Sequence, residues 1–356
     1  MRLNETIFLT GFPGFIAGRL VKRLATEGAR FFLLVQPAFM ERAREEVTRI
    51  ASETNAAPDS FRLIEGDITQ PDLGISATEL ERARAETTIL FHLAAIYDLA
   101  VERDPAMRVN VEGTRNVNRL ALTLPNLRHY HYVSTCYVAG LRTEVILETE
   151  LEHSAGFRNF YEETKYLAEL EVDALKGQLP VTIHRPSVVC GDSRTGETAK
   201  YDGIYYLIQY LRKQPSLLSL VNIGNRQVSL NLVPVDFVVE AMTALTKDER
   251  AIGATLALAD PKPLTTHELF EAIARALAGR GSRITAPAKL VRSSLALPFS
   301  PTITGLPYAG VPYFFLNQTY DTAHARELLD THGIHCPSFL DYVDALIEYV
   351  KRHPKL

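Results

Sequence analysis

Residues 10–18 read TGFPGFIAG, directly after the apolar run TIFL at 6–9 and ahead of a stretch with helical character. Glycine at 11 and 14 permits a tight turn and leaves no Cβ between the backbone and whatever approaches it. Ala17, third in the spacing, is small enough for the new helix to pack closely on the strand. Pro13 has no N–H, so the free donors at the helix start fall to Phe15 and Ile16. A strand, a glycine turn and a helix in this order present helix N-terminal N–H groups to a pyrophosphate. A purely structural turn would read much the same, so the rest of the chain has to decide.

Outward from that turn, the first half alternates short apolar runs with helical patterns. FFLLV (31–35), FRLIEGD (61–67), TTILFHLAA (87–95), HYHYVS (129–134) and VTIHRPS (181–187) read as strands, with helices expected near 14–27, 40–54, 105–123 and 159–176. Continuous apolar strands alternating with helices argue a parallel sheet covered on both faces. Right-handed crossovers then give an α/β fold with a doubly wound parallel sheet. After about residue 192 the rhythm breaks. SLNLVPVDFVVEAMTAL (229–245) reads as strand then helix, and TLALAD (255–260) as one more strand. The expected division is a dinucleotide-binding domain over 1–200, rejoined by 229–260, and a smaller, mainly helical substrate lobe at the C-terminal side from 201–228 and 261–356. Helices are expected to close the chain near 321–330 and 337–352.

The chain of 356 residues is 46% hydrophobic and 22% charged, an ordinary balance for a globular protein. Its net charge of −4 and the lack of a dense basic run argue against nucleic acid as a partner. Cys136, Cys190 and Cys336 are far apart with no CxxC pair, which favours neither a metal site nor a disulfide framework and suits a reducing, cytoplasmic setting. With a strand beginning near Thr6, no signal peptide is expected. No apolar run reaches membrane-spanning length, so peripheral lipid contact is the only membrane association left open.

YEETK places Tyr161 and Lys165 four residues apart, on one face of a helix. A phenol normally loses its proton near pH 10, and a neighbouring ammonium favours the tyrosinate. The pair therefore suits proton donation, and Thr135 at the end of a strand can give a second hydrogen bond to a developing oxyanion. His92 and His184 fall in buried strands and read as packing or hydrogen-bonding residues. The acidic run Glu144–Glu152 reads as a solvated loop.

These pieces resemble one family. TGFPGFIA (10–17), FHLAAIYD (91–98), VNVEGT (109–114), VSTCYVAG (133–140), YEETKYLAE (161–169) and HRPSVVCGDSRTG (184–196) together resemble an extended short-chain dehydrogenase/reductase of Rossmann type. More narrowly, GDSRTGETAKYDGIYY (191–206) and LNLVPVDFVVEAM (230–242) look like the fatty acyl-CoA reductase and thioester reductase branch. The resemblance implies an NAD(P)H-dependent reductase of a small-molecule carbonyl, most of all an acyl thioester or long-chain aldehyde. It implies Tyr161 as proton donor, Lys165 as partner of the tyrosine and the ribose, and Thr135 as oxyanion donor. It also implies Gly11, Phe12, Gly14, Phe15 and Ile16 around the pyrophosphate and Gln36, Asp67 and Ile68 at the adenosine end. Ala94, Ala95 and Ser134 would lie along the ribose and nicotinamide, with Pro186 and Val188 beside the carboxamide.

Two departures bear on these expectations. Ala17 stands at the usual third glycine, and Gln36 stands where acyl-CoA reductases often carry an arginine. A carboxylate at that position would favour NAD and an arginine NADP, and Gln36 is neither, so the resemblance implies NADPH with NADH open. No second reductase or carrier domain is read in the sequence, which would make this a stand-alone module. The apolar stretches 286–316 and 204–211 would line an acyl channel, touch lipid, or form the core of the second lobe. Rival functions are a ketone or hydroxysteroid-type dehydrogenase, a nucleotide-sugar epimerase, and a non-catalytic cofactor-sensing protein.

Overall fold

A computed structural model describes residues 3–213, 221–287 and 311–355. Seven strands, β1 (Thr6–Thr10), β2 (Arg30–Val35), β3 (Phe61–Glu65), β4 (Ile89–His92), β5 (His129–Val133), β6 (Val181–Pro186) and β7 (Thr255–Leu258), form one sheet. Every pairing is parallel, in the order β3-β2-β1-β4-β5-β6-β7. The strand order reverses between β1 and β4, where a doubly wound sheet opens its ligand crevice.

Alternate side chains explain why the strands are apolar throughout. Ile7, Leu9, Phe31, Leu33 and Phe91 face α1 (Phe15–Ala25), α2 (Met40–Thr54) and Val235–Leu245 in one core. Phe8, Phe32, Leu34, Leu90 and Tyr130 face the other way, onto α3 (Ala77–Glu86), α4 (Gly113–Ala121) and α5 (Phe160–Asp173). Both faces are covered, so both are mainly apolar.

A separate core joins α6 (Ile204–Lys213), α8 (Thr266–Ala278) and α10 (Phe339–Arg352), with Val235–Leu245 counted as α7 and Ala323–Asp330 as α9. Ile204, Tyr205, Leu207, Ile208 and Leu211 are buried in it. The 204–211 run is therefore lobe core, whereas most of 286–316 lies outside the described residues. Helix α9 packs instead against the sheet side, through Ala325, Leu328 and Leu329.

The acidic run is not all solvated, contrary to the expectation. Glu148 is buried, and its carboxylate accepts from Ala257 N (2.7 Å) on the outer edge of β7 and from His324 N (2.7 Å) at the start of α9. A carboxylate there satisfies an edge-strand donor and helix N–H groups together.

Histidines make an unusual inner layer. The His129 and His131 ring centroids are 3.8 Å apart, and His131 Nδ1 lies 2.9 Å from His184 Nε2. Burial holds His129 down at about 4, and His92 and His184 at about 3. These groups stay neutral in the fold while an unfolded imidazole protonates near 6.5. Below that pH only the unfolded chain takes up the protons, so stability falls as pH drops through 6.5 towards 4 and 3. Each is expected to cost about 2 kcal/mol by pH 5. Guanidinium unfolding at pH 7.5 and 5.0 reads this loss, in a window where ordinary carboxylates remain ionised; equal midpoints would contradict it.

Candidate active site

The glycine turn closes against the neighbouring strand end. A Cβ on Gly11 (φ +94°) would lie 2.9 Å from Ala94 N, and one on Gly14 would lie 2.7 Å from Gly11 O. Only glycine fits either place. Helix α1 then starts with Gly14 as an extended N-cap, with no side-chain cap and no acidic residue in the first turn. Its first N–H groups and dipole are left for an anion. Gly14 is exposed and Phe15 and Ile16 half-buried, so the donors are reachable, whereas the Phe12 side chain is buried in the core. This chemistry fits the pyrophosphate of a nicotinamide dinucleotide.

A hydrogen-bond chain fixes the far wall of the crevice. Thr114 Oγ1 donates to Asn110 O (2.6 Å), so it accepts from His92 Nε2 (3.0 Å). His92 Nδ1 then accepts from Thr10 Oγ1 (2.7 Å), which itself accepts from Ala94 N (3.2 Å). Ala94 and Ala95, both half-buried, are thus presented on a rigid strand end. At the adenosine side, Gln36 Nε2 donates to Asp67 Oδ2 (3.2 Å), and Ile68 packs where a Cβ on Gly113 would meet it at 2.6 Å. Arg19 is paired with Asp192 (3.0 Å) and Glu197 (2.8 Å), and lies 5.0 Å from the Phe15 ring centroid.

Asn159 caps α5, accepting from Glu162 N (3.0 Å), which puts Tyr161 in the first turn at the helix mouth. Thr135 lies two residues beyond β5 and caps the short turn at Cys136–Ala139. Burial pushes the Tyr161 phenol up to about 12, with the Thr135 hydroxyl pulling the other way. The expected ammonium effect is not what sets this phenol. Lys165 Nζ donates to Tyr132 Oη (2.9 Å) and Val133 O (2.9 Å), and burial brings it down to about 7 against the pull of Glu169. The lysine lies under the end of β5 because that strand end offers two acceptors to a buried ammonium.

Ser134 also differs from expectation. Its hydroxyl turns inward to donate to Glu169, which is completely buried and also accepts from Arg185 Nε (2.8 Å) and Nη2 (2.5 Å). Pro186 ends β6 beside Leu258, and half-buried Val188 follows it.

Several residues that sequence reasoning missed complete the site. Asn110, in a π-helical segment (Met107–Glu112), clips Ile96 N and O (2.8 and 3.1 Å) to Thr164 Oγ1 on α5 (3.0 Å). Such segments often mark functional positions. From the far end of the chain, Tyr313 donates to buried Glu162 (2.5 Å), accepts from Asn159 Nδ2 (2.8 Å), and packs at a tilt against Tyr137 with centroids 4.5 Å apart. Tyr137, Ser187, Val188, Leu230, Tyr313 and Gln318 line a cleft beyond the strand ends. Asn110 had a local signal, a polar residue among apolar ones in VNVEGT; Tyr313 had none.

A Rossmann sheet whose switch-point crevice carries an uncapped glycine turn defines a dinucleotide-binding fold. Residues 9–242 match the NAD-binding family described as "Male sterility protein". The chain belongs to that family, within the extended short-chain dehydrogenases/reductases, a class of NAD(P)-dependent oxidoreductases. It is 28% identical over 284 residues to fatty acyl-CoA reductase wat of Drosophila melanogaster, covering 69% of this chain and 54% of that protein. It is 26% identical to a linear gramicidin synthase of Brevibacillus parabrevis, across 76% of this chain and 5% of that protein. The chain thus spans about half, or far less, of the length of these curated relatives. In structure it is similar to the terminal R domain of the myxalamid PKS-NRPS pathway, with TM-score 0.81, 26% identity, and coverage of 100% of this chain and 92% of that one. Among the described residues, no helix is long and apolar enough to cross a membrane.

Proposed function

We propose that this chain reduces an acyl thioester to an aldehyde with NADPH. The observation that carries the reading is the Tyr161 phenol, protonated at neutral pH, beside the Thr135 hydroxyl and next to a crevice shaped for a dinucleotide. The bound nicotinamide supplies hydride to the carbonyl carbon. Thr135 orients the carbonyl oxygen, and Tyr161 gives it a proton as negative charge develops there. Collapse of the hemithioacetal breaks the C–S bond as its hydroxyl returns the proton to the Tyr161 phenolate, and the departing thiolate takes a proton from solvent to leave as thiol. Gly11, Phe12, Gly14, Phe15 and Ile16 hold the pyrophosphate through backbone. Gln36, Asp67 and Ile68 border the adenosine, and Ala94, Ala95, Ser134, Pro186 and Val188 border the nicotinamide half. Lys165 holds the nicotinamide ribose. NADPH is taken from the family resemblance, since Gln36, hydrogen-bonded to Asp67, is neither the carboxylate that would grip a 2′-hydroxyl nor the arginine that would hold a 2′-phosphate.

Turnover of NADPH and NADH against acyl-CoAs of graded length, long-chain aldehydes, ketones and nucleotide sugars tests the reading. Oxidation of NADPH with acyl-CoA, yielding aldehyde, is the expected result. Activity confined to ketones, interconversion of sugars without net oxidation of the cofactor, or binding with no turnover would each replace it with one of its rivals.

A further inference from the structure

We propose that Tyr313 is a positioning residue for the reaction, its hydroxyl setting the first turn of α5 and with it the Tyr161 phenol, a role that rests on the proton-donor reading above. Asn159 is the N-cap of α5 and Glu162 stands three residues on, so the two bracket Tyr161. Asn159 Oδ1 accepts from Glu162 N (3.0 Å). The Tyr313 hydroxyl closes the loop, donating to Glu162 Oε1 (2.5 Å) and accepting from Asn159 Nδ2 (2.8 Å). Residues from distant parts of the chain thus form one hydrogen-bonded ring around the turn that carries the proton donor.

The same residue reaches the oxyanion side. The Tyr313 ring packs against Tyr137, and Tyr137 N donates to Thr135 Oγ1 (3.2 Å). That N–H occupies an acceptor position on Thr135 and leaves the hydroxyl's own proton to be given. Five residues beyond Tyr313, Gln318 Nε2 donates to Gly140 O (2.8 Å) and Arg142 O (2.5 Å), and Gln318–Tyr320 pairs in parallel with Glu144–Ile146. The segment that carries Tyr313 is therefore pinned to the chain that follows Thr135 as well as to the mouth of α5. Tyr161 and Thr135 come from different elements, and Tyr313 touches the neighbours of both.

Fold stability gives little reason for this hydroxyl. Glu162, completely buried, already holds two donors from Arg158, the backbone N (3.0 Å) and Nη1 (2.8 Å). Asn159 is half-buried, within reach of water. The buried Tyr313 ring keeps its packing against Tyr137 and the Arg158 guanidinium, 5.4 Å from the ring centroid, with or without the oxygen. What the hydroxyl adds is direction. It ties the cap to the third residue of one turn and so fixes where the residue between them points. Proton transfer depends steeply on distance and angle, so a small loss of order at that turn is felt in the rate before it is felt in stability.

Tyr313→Phe in the full chain keeps the ring and removes only the oxygen. With NADPH and the acyl-CoA turned over fastest, kcat and the single-turnover rate are expected to fall about tenfold, with both KM values within about twofold of wild type. The melting temperature is expected to drop by no more than about 3 °C. The deciding comparison is the double variant. Because the hydroxyl acts through Tyr161, Tyr313→Phe is expected to change the single-turnover rate of Tyr161→Phe by less than about twofold, the group it orients being already gone. An equal loss in both backgrounds, or a deeper fall in melting temperature, would overturn the proposal in favour of a general structural role. A rise in KM with kcat unchanged would overturn it in favour of direct substrate contact, and wild-type kcat and KM would overturn it outright. Tyr161→Phe at wild-type kcat would remove the proton-donor reading, and this inference with it.

Discussion

Tyr161→Phe is expected to lower kcat by about three orders of magnitude while leaving NADPH affinity within a few-fold of wild type. The substitution removes one hydroxyl from the first turn of α5 and leaves the ring. The Asn159 cap, the Glu162 contacts and the Lys165 hydrogen bonds do not involve that hydroxyl. What is lost is the proton that must reach the carbonyl oxygen as hydride arrives. The phenol is protonated at neutral pH, as a donor has to be, although burial makes it a weaker acid than free tyrosine. Steady-state turnover together with cofactor titration checks both halves. A variant keeping a tenth or more of wild-type kcat would assign proton delivery to another group.

Glu169→Ala is expected to destabilise the protein by about 3–5 kcal/mol. The substitution leaves the Arg185 guanidinium, only 5% exposed, without its carboxylate, and it orphans the Ser134 hydroxyl. It also removes the one charge that raises Lys165, one turn back on the same helix. Breaking a buried pair costs more than the intact pair is worth, because a desolvated charge is left behind. The double variant Glu169→Ala, Arg185→Met is therefore expected to recover a large part of the loss. Urea unfolding of the single and double variants measures this. A single-variant loss below about 1 kcal/mol would mean that water reaches the guanidinium.

Much of this was legible in the sequence where the determinants are local. The seven strand runs announce themselves by being largely apolar on both faces, because both faces of a parallel sheet are covered. The glycine turn and the Tyr161–Lys165 spacing are short-range patterns, and both fall on the elements expected of them. What stayed hidden depends on partners far along the chain. Glu148 reads as one solvated acid among several until β7 and the start of α9 arrive more than a hundred residues later. Lys165 shares a helix face with Tyr161, yet its hydrogen bonds are decided by the acceptors at the end of β5. Glu169 was within reach, standing four residues beyond Lys165 on the same face. Tyr313 was not, since nothing near it in sequence points to Glu162, 151 residues away.

The most direct test of the central claim is a single-turnover experiment with wild-type protein, NADPH and an acyl-CoA, following cofactor oxidation, free thiol and aldehyde together. Thioester reduction predicts all three in equal amounts with a common rate constant. Thiol released without oxidation of the cofactor, or oxidation without thiol, would contradict it.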